Sequence, residues 1–374
     1  MTSRSEVVVA GGGMVGLTLG LALAKAGVET TVVDGLDPAL VVDAKFDGRV
    51  SSFSPASRRM LVQLGVWQHL EAQAQAITDI VVGDGSVRSG ASAALLHFDH
   101  REMGDAPLAH MVENRHFRMA LQREVESAPG LRLVAPQKVA GATVARGHVD
   151  VALGDGSYLQ AALCIAADGR DSPLREAMGI KTIGWSYAQS GIVATIGHEK
   201  PHHGTAYELF FESGPFAILP MTGNRSSIVW SERSDQAPAF VKLDNAAFVA
   251  EVAQRFGDQW GALSLEGPRW AYPLSMHLAR AYVSERFALA GDAAHGVHPI
   301  AGQGLNLGLR DAAALAETIV EARRLGLDIG SEASLMRYQA WRRFDNALFT
   351  ASFDALNRLF SNSIAPVAAV RRLG

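Results

Sequence analysis

The chain has 374 residues, of which 48% are hydrophobic and 19% are charged, and its formal net charge is −4. These values describe a folded protein with room for two domains, or for one large α/β unit with an inserted layer. The mild negative charge gives no basic surface for nucleic acid, and a single cysteine, Cys164, excludes an internal disulfide and fits a reducing compartment.

The first predicted elements are a strand, a glycine turn and a helix over residues 7–27, with no evident signal peptide before them. Gly11, Gly13 and Gly16 have the spacing G-x-G-x-x-G. In this motif the first glycine permits a tight turn, the second lets the backbone approach a pyrophosphate, and the third lets the helix pack on the strand. A second strand ends in Asp34, which can hold the ribose hydroxyls of an adenosine. The segment predicts dinucleotide binding without separating NAD from FAD.

Two helices are predicted in the next hundred residues, one over about 55–73 and one from Met111. Arg49, before the first helix, could pair with a cofactor phosphate or lie beside a flavin ring, and a solvated loop position is the alternative. Asn114 or Arg115, near the start of the second helix, could reach the cofactor or could simply cap and solvate the helix.

A hairpin is predicted where apolar and polar residues alternate over 139–163, and its last strand leads into the turn Asp168-Gly169. Residues 181–275 continue this alternation and predict an antiparallel sheet that could wall an apolar pocket over a cofactor. The alternative for each candidate wall residue is the core of the sheet's own layer. The candidates are Phe210, Phe211, Phe216, Leu219 and Pro220.

A second acidic turn, Gly291-Asp292, follows a short apolar strand and precedes a Gly-rich loop and a long helix from about Leu305. Asp292 could accept hydrogen bonds from sugar hydroxyls. The N–H groups around residues 302–305 could stabilise negative charge at the positive end of the helix. Residues 335–360 form a further predicted helix that packs against the body, or that faces a membrane or a partner.

Together these segments occur in the order and spacing of the group A flavoprotein aromatic hydroxylases, and the fold resembles that of p-hydroxybenzoate hydroxylase. Within the group the chain is most similar to the ubiquinone-biosynthesis hydroxylases. The stretches that carry this similarity are 291–309, Phe98-Asp-His-Arg-Glu, Val112-Glu-Asn114, and 214–220 followed by Val229-Trp230. The resemblance covers nearly the whole chain.

The resemblance implies an α/β fold with a Rossmann-like FAD-binding domain, an inserted antiparallel-sheet substrate domain and C-terminal helices. The FAD-binding domain would comprise residues 1–70, 101–180 and 276–330, the substrate domain 71–100 and 181–275, and the helical segment 331–374.

The resemblance also implies FAD, rather than NAD, as the cofactor. Asp34 would hold the adenosine ribose, Asp168 would lie near the pyrophosphate, and Asp292 would bind the ribityl chain. The loop from Gly302 to Gly304 would face the flavin ring. The implied cofactor-binding residues are Gly11, Gly13, Gly16, Asp34, Arg49, Asn114, Asp168, Gly169, Gly291, Asp292, Pro299, Gly302, Gln303, Gly304, Leu305 and Asn306.

The implied chemistry begins when reduced flavin reacts with O2 to give a C4a-hydroperoxide, whose distal oxygen transfers to an electron-rich aromatic ring. The cofactor carries this chemistry and the protein supplies orientation, electrostatics and a dry pocket, which fits the lack of a nucleophile triad or a metal-ligand cluster in the sequence. His298 and Pro299 are the catalytic candidates, His298 as a proton acceptor or a structural residue and Pro299 as a residue that shapes the loop. His295 is expected to be structural.

The implied substrate is a polyprenylated phenol or benzoquinone precursor of ubiquinone, with O2 as co-substrate. The sequence has no second complete dinucleotide motif, so NAD(P)H or another reductant is expected as the electron donor. The expected location is cytoplasmic, with peripheral contact at the inner face of the membrane and with a quinone-biosynthesis protein complex as further partners. Two alternatives stay open: a hydroxylase of a small soluble aromatic acid, and a non-catalytic subunit of such a complex.

Overall fold

The computed structural model of the chain describes residues 3–42, 45–86 and 90–360. The strands are β1 (Ser3–Ala10), β2 (Thr30–Val33), β3 (Val50–Phe53), β4 (Gln75–Ile77), β5 (Asp79–Ser86), β6 (Gly90–Asp99), β7 (Ala109–Glu113), β8 (Leu131–Val134), β9 (Val139–Ala145), β10 (His148–Leu153), β11 (Tyr158–Ala166), β12 (Thr182–His198), β13 (Thr205–Phe211), β14 (Gly214–Met221), β15 (Arg225–Arg233), β16 (Leu263–Ala279), β17 (Val283–Ser284), β18 (Phe287–Leu289) and β19 (His295–Gly296). The α-helices are α1 (Met14–Lys25), α2 (Pro38–Val42), α3 (Pro55–Gln63), α4 (Asn114–Ser127), α5 (Pro173–Ala177), α6 (Ala237–Lys242), α7 (Asn245–Phe256), α8 (Gly304–Arg324) and α9 (Glu332–Phe360).

The first sheet has the strand order β17-β18-β11-β1-β2-β8, and β10 and β9 continue from β11 as an antiparallel hairpin. The five strands from β18 to β8 run parallel to one another. The last four residues of β1 and all four of β2 are buried, which is typical of strands covered on both faces. Helices α1 and α8 pack against each other beside this sheet. The predicted Rossmann-like α/β architecture is confirmed.

The second sheet has the order β19-β16-β12-β15-β14-β13-β5-β6 and is antiparallel except where β13 meets β5. Side chains along each strand alternate between two faces. One face forms an apolar core with α6 and α7. The other, which we call the inner face, carries Thr195, Ala206, Glu208, Ala217 and Leu219.

A small third sheet, in the order β3-β7-β4, lies against the inner face. Val50 of β3, Met111 of β7 and Ile77 of β4 form one apolar cluster with Ala206 and Leu219. The small sheet therefore joins the inner face to the segment that follows the nucleotide motif.

Two predicted helix boundaries differ from the structure. The helix predicted over 55–73 ends at Gln63 and continues as two 3₁₀ turns, because Gly65 adopts a φ of +75° that an α-helix cannot contain. The helix predicted from Met111 is wrong in its first turn, since Ala109–Glu113 pairs as β7 and α4 begins at Asn114.

The C-terminal helix α9 packs against the body in both halves, with Leu335 and Tyr338 buried in the first and Thr350, Phe353 and Asn357 in the second. Leu335 and Tyr338 are fully buried, and the Tyr338 hydroxyl donates a hydrogen bond to the Leu289 carbonyl oxygen at 2.7 Å. Phe344 is 73% exposed on its other side. Within the described ranges, the helices lack the combination of length and apolarity that a membrane crossing needs. The rest of the predicted C-terminal segment, residues 361–374, lies outside the described residues.

Candidate functional site

The glycine turn between β1 and α1 has little room for side chains. Gly11 has a φ of +104°, and a Cβ on it would lie 2.3 Å from the carbonyl oxygen of Ala167. A Cβ on Gly16 would lie 1.9 Å from the carbonyl oxygen of Gly11, so glycine is needed for α1 to approach the strand. Around Gly13, by contrast, the described residues leave 4 Å of open space where a ligand can approach the backbone.

Three neighbouring strands end beside this turn. β18, β11 and β1 are adjacent and parallel, and Ala166 pairs with Leu289 in register. Because the carboxyl ends of parallel strands meet at one edge of a sheet, Gly11, Asp168 and Asp292 follow strand ends at the same edge. A Cβ on Gly11 would lie 2.9 Å from the Asp168 backbone nitrogen. Motifs that are far apart in the sequence thus form one site.

A cleft opens beside the start of α1 and is lined by Gly12, Gly13, Asp34, Arg118 and Gln122, among others. The Asp34 carboxylate accepts a hydrogen bond from the Leu36 backbone N–H at 2.6 Å. Asp34 lies in the lining of the cleft, and its ribose-binding role stays a prediction.

Arg118, on α4, was missed in the sequence analysis. Its buried Nε has no hydrogen-bond partner among the described residues, and its side chain lines the cleft. A guanidinium with an unused N–H donor beside a helix N-terminus is suited to an anionic nucleotide. The available signal was its position four residues after Asn114, on the same face of α4.

Asp168 also carries an unsatisfied buried atom. Its Oδ1 is buried without a partner among the described residues, and its Oδ2 accepts a long bond of 3.4 Å from the Leu174 N–H. Burial raises the pKa of the Asp168 carboxyl, and the hydrogen bond from Ser172 opposes this only in part. Buried polar atoms in native proteins nearly always have partners, so this oxygen indicates a polar ligand.

Asp292 is the exposed residue of a turn in which Gly291 and Ala293 are buried. The Asp292 backbone carbonyl accepts a hydrogen bond from Nε2 of His277 at 2.9 Å. Its carboxylate makes no hydrogen bond or ion pair with the described residues and can receive sugar hydroxyls.

The turn Gly291-Asp292 is hydrogen-bonded to Asp311, a fully buried residue of α8. One oxygen of Asp311 accepts from the Gly291 N–H at 3.0 Å and lies 2.5 Å from Nε2 of His295. The other accepts from Nε of Arg342 at 2.7 Å and from Nδ2 of Asn346 at 3.2 Å. Burial alone would raise the pKa of the Asp311 carboxyl, but His295 and Arg342 outweigh burial and lower it. His295 is part of a buried hydrogen-bonded cluster, and its structural role stays a prediction.

Asp311 and Arg342 were not singled out from the sequence. Asp311 lies four residues after Leu307 and four before Leu315, both buried, so it falls on the buried stripe of α8. A charge in that stripe indicates a buried partner, but the partner on α9 is set by tertiary packing.

The first turn of α8 is open to a negative charge. The turn has no capping side chain and no acidic residue, and Gly302 reaches it with a φ of +59°. The N–H groups of Gly304 to Asn306 precede the first hydrogen bond within the helix, which the Leu307 N–H donates to the Gln303 carbonyl. These groups can stabilise charge on a ligand.

The Asn306 side chain forms hydrogen bonds within the protein. Its Oδ1 accepts from the Ser54 N–H and the Ser57 hydroxyl, and its Nδ2 donates to the Ser52 carbonyl oxygen at 2.9 Å. Only the backbone of Asn306 remains for the cofactor contact that the sequence predicted, and the side chain ties α8 to β3.

His298 lies at the centre of the loop before α8 and is 1% exposed. Its Nδ1 accepts a long hydrogen bond from the Ile300 N–H, its Nε2 has no partner among the described residues, and the Tyr187 ring packs edge-on at 5.1 Å. Burial lowers the pKa of His298 to about 4. A neutral imidazole with an unpaired N–H is a hydrogen-bond donor at neutral pH. Pro299, next in the chain, starts the turn in which its carbonyl accepts from the Gly302 N–H at 3.0 Å.

Arg49 and Asn114 lie together at the start of the small sheet. The Arg49 guanidinium is 56% exposed and pairs with Asp47, an interaction worth at most about 1 kcal/mol, so it can turn toward a ligand. The Asn114 N–H donates to the Arg49 carbonyl oxygen at 3.0 Å, and the Asn114 side chain accepts from the Ser51 hydroxyl. Asn114 thus positions the Arg49 segment.

Three predicted pocket residues, Phe211, Phe216 and Pro220, lie on the side of the large sheet away from the inner face. Phe211 and Phe216 belong to the apolar core with α6 and α7, since strand alternation turns them away from the inner face. Pro220 lies on the same face of β14 as Phe216, whereas Leu219 lies on the inner face. Because every second residue of a strand changes face, an apolar run alone does not show which face a side chain occupies.

The groups at the three strand ends fit FAD. Asp34 lines the cleft beside the start of α1, Arg118 and the start of α1 offer donors for phosphates, and Asp292 offers acceptors for ribityl hydroxyls. The start of α8 offers unused N–H donors for the electron-rich part of the ring.

Comparisons with known proteins identify the family and the fold. A family model described as an FAD binding domain matches residues 4–344. The chain is 48% identical over 372 residues to the ubiquinone hydroxylase UbiL of Rhodospirillum rubrum, covering 99% of this chain and 85% of that protein. It is 34% identical to the 3-demethoxyubiquinol 3-hydroxylase of Escherichia coli, covering 100% and 95%. The crystal structure of p-nitrophenol 4-monooxygenase PnpA from Pseudomonas putida DLL-E4 superposes with a TM-score of 0.80 at 21% identity, covering 100% and 93% of the two chains, and shows the same fold.

Proposed function

The chain belongs to the FAD-dependent hydroxylases of ubiquinone biosynthesis, and from this membership we propose that it adds one oxygen atom from O2 to the ring of a polyprenylated phenol or benzoquinone precursor. The reaction also forms water and consumes two electrons, for which we propose NAD(P)H as the donor.

The proposal rests on one observation: Gly11, Asp168 and Asp292 follow the ends of neighbouring parallel strands at the same edge of the sheet. In open α/β sheets, ligands bind outside the carboxyl ends of the strands. Gly11, Gly13, Gly16 and Asp34 would hold the adenosine half of FAD, with Arg118 added from the structure. Further positions would hold the remaining parts of the cofactor, namely Arg49, Asn114, Asp168, Gly169, Gly291, Asp292, Pro299, Gly302, Gln303, Gly304, Leu305 and Asn306.

The bound flavin would supply the activation of O2, and the protein residues would supply position and charge. The N–H groups at the start of α8 would stabilise negative charge on the reduced ring. The inner face and the small sheet would exclude water from the substrate. His298, held neutral by burial, would act in the loop as a hydrogen-bond donor.

The inner face supports a phenol over an aromatic acid. Its described members around β13 and β14 are apolar apart from the carboxyl of Glu208. A substrate carboxylate beside that carboxyl would lose its hydration without gaining a cation. A neutral phenol with an apolar tail carries no such penalty. Peripheral membrane contact and membership of a quinone-biosynthesis complex remain part of the proposal, as routes by which such a substrate reaches the site.

The visible spectrum of the purified protein, followed by genetics, tests the proposal. We expect a flavin spectrum with FAD as the extracted cofactor, and faster oxidation of NAD(P)H when a prenylated phenol is added. A strain that lacks the gene should accumulate an aromatic intermediate that is one hydroxyl short of the product. A colourless protein that does not take up FAD would contradict both hydroxylase hypotheses and would favour a non-catalytic subunit.

A further inference from the structure

Glu208 is an acidic residue in the middle of an otherwise apolar surface. It lies on β13 between Ala206 and Phe210, which share its face of the strand and are 5% and 4% exposed. Across the sheet it pairs with Ala217 on one side and Val82 on the other. A polar residue at such a position is costly to bury and indicates a role.

The Glu208 carboxyl has no protein partner among the described residues. No hydrogen bond or ion pair links it to them, and burial is the one cause that shifts its pKa, raising it to about 8. The residue nevertheless keeps some accessible surface between its two buried neighbours. Together these observations describe a carboxyl that protein largely encloses, that keeps some accessible surface and that has no described partner.

The inner face around Glu208 is connected to the proposed flavin loop through β3. Leu219 and Ala206 contact Val50 of β3 in one apolar cluster. Two residues further along β3, Ser52 accepts a hydrogen bond from Asn306, and a Cβ on Gly302 would lie 3.4 Å from the Ser52 Cβ. The same strand therefore borders both Glu208's surface and the Gly302 loop.

The loop before β3 closes this space further along the sheet. A Cβ on Gly48 would lie 3.3 Å from the Thr195 hydroxyl of the inner face, and the Trp270 indole N–H donates to the Asp47 carbonyl oxygen at 2.9 Å. A flat aromatic ring placed between the inner face and the Gly302 loop would thus meet Glu208 from the side of the sheet.

We propose that Glu208 is a catalytic residue that binds the phenolic hydroxyl of the substrate and accepts its proton during oxygen transfer. This inference rests on the proposed function and adds a residue to it. In the step, the phenol O–H bond breaks and a carboxyl O–H bond forms on Glu208. The electron pair left on the phenol oxygen raises the electron density of the ring, which then attacks the electrophilic oxygen that the flavin reaction supplies. The bond that held this oxygen breaks, and its electron pair stays with the leaving side. When the product regains its aromatic ring, the proton of the substituted carbon passes to solvent and its bonding pair returns to the ring. Glu208 then returns its own proton to the phenol oxygen, which regenerates the carboxylate.

Burial makes Glu208 a better base for this step. A phenol has a pKa of about 10, so an ordinary glutamate is a weaker base by nearly six pH units. With the pKa of Glu208 raised to about 8, the difference falls to roughly two units, within the range that general bases bridge during reaction.

Three carboxyl groups on the surrounding elements have protein partners. In β5 Asp79 bonds to His97, in β7 Glu113 pairs with Arg115 and with Arg225 of β15, and in α9 Asp354 accepts from the Tyr187 hydroxyl. His110 of β7 packs edge-on against the Trp67 ring, its buried Nδ1 has no hydrogen-bond partner among the described residues, and burial lowers its pKa. Burial raises the pKa of Tyr272 on β16. Glu208 differs from the three carboxyls in having no described partner.

The test uses the FAD-loaded protein, 2-geranylphenol as the probe, and the variants Glu208→Gln and Glu208→Asp. Glu212→Gln is the matched control, because Glu212 lies on the same hairpin but is exposed. Infrared difference spectra give a readout that does not depend on turnover. We expect a protonated-carboxyl band that disappears as the pH rises through about 8. The band should shift in frequency when the probe binds. Of the variants, only Glu208→Gln should lack it.

Single-turnover hydroxylation gives the second readout. The wild-type rate should rise roughly tenfold per pH unit below pH 8 and then level off. Glu208→Gln should be slower by about 10²–10⁴-fold and lose this pH dependence, while it keeps its FAD. Glu208→Asp, which restores an acid, should regain part of the rate even if the glutamine variant folds poorly.

Two results would overturn the proposal for Glu208. One is a carboxyl band whose frequency does not change when 2-geranylphenol binds. The other is a Glu208→Gln variant with the wild-type rate and pH profile. A protein that shows the probe-dependent band but hydroxylates no phenol would leave Glu208 as the phenol-binding group and would instead contradict the proposed function.

Discussion

Nε2 of His295 lies 2.5 Å from Oδ2 of Asp311, and both side chains are buried, at 1% and 0% exposure. The same carboxylate oxygen accepts the N–H of Gly291, the residue before Asp292. The geometry of the cofactor turn therefore depends on a buried charge cluster that joins three segments: the turn itself, α8 and α9.

Replacement of Asp311 by alanine should destabilise the protein by about 3–5 kcal/mol, because Arg342, at 2% exposure, would be left buried without its main counter-charge. Thermal unfolding and FAD content measure the effect. Arg337→Ala is the matched control, since Arg337 forms its ion pairs with α8 on the exposed surface and should cost at most about 1 kcal/mol. Equal losses in the two variants would contradict a central role for the Asp311 cluster.

Replacement of Asp292 by alanine should release FAD while the chain stays folded. The Asp292 carboxylate has no partner among the described residues, so its removal leaves protein contacts intact and removes acceptors for the ribityl chain. Fluorescence titration with FAD measures the affinity, and circular dichroism measures the fold. Asp105→Ala, an exposed loop change, should alter neither. Full flavin occupancy in Asp292→Ala would argue against the ribityl role.

His298→Gln should keep more activity than His298→Ala. Burial holds His298 neutral, so we expect its unpaired Nε2–H to act as a donor, which the glutamine amide can replace. Loss of the donor in the alanine variant should lower the hydroxylation rate by roughly 10²-fold with FAD still bound. If both variants lose FAD alike, His298 is a structural residue of the loop; if both lose activity alike with FAD bound, the imidazole is itself required, as a proton acceptor.

Glu208→Gln should stabilise the protein, and increasingly so as the pH rises. Glu208 ionises near its ordinary pKa of 4.5 in the unfolded chain but near 8 in the folded protein. Between these values the folded state binds the extra proton, so wild-type stability falls as the pH rises from about 4.5 to about 8 and then levels off. The difference in unfolding free energy should reach a few kcal/mol at most. A difference that stays constant across this pH range would show that Glu208 is not buried as described.

The sequence predicted the parts of the site that depend on backbone geometry. Gly11 and Gly16 are required by close approaches that any residue with a Cβ would block, so their spacing carries structural information by itself. Asp168 and Asp292 follow strand ends, and parallel pairing of those strands brings them together. Local rules therefore suffice for the nucleotide-binding edge.

The substrate side was harder to predict, because it depends on which face of a strand meets which neighbour. Phe211 and Phe216 are as apolar as a pocket wall, but the helices α6 and α7 cover their face. Arg118 became visible as a site residue only when α4 was placed beside the cleft. Glu208 breaks an apolar run, and only the register of β13 with β14 shows that it lies on the inner face.

The most direct test of the account is a reaction of the FAD-loaded protein with 2-geranylphenol under ¹⁸O2, followed by mass spectrometry of the product. The account predicts one ¹⁸O atom in the ring of each product molecule, and no product from a chain stripped of FAD. A product that takes its oxygen from water, or a yield that is the same without FAD, would contradict it.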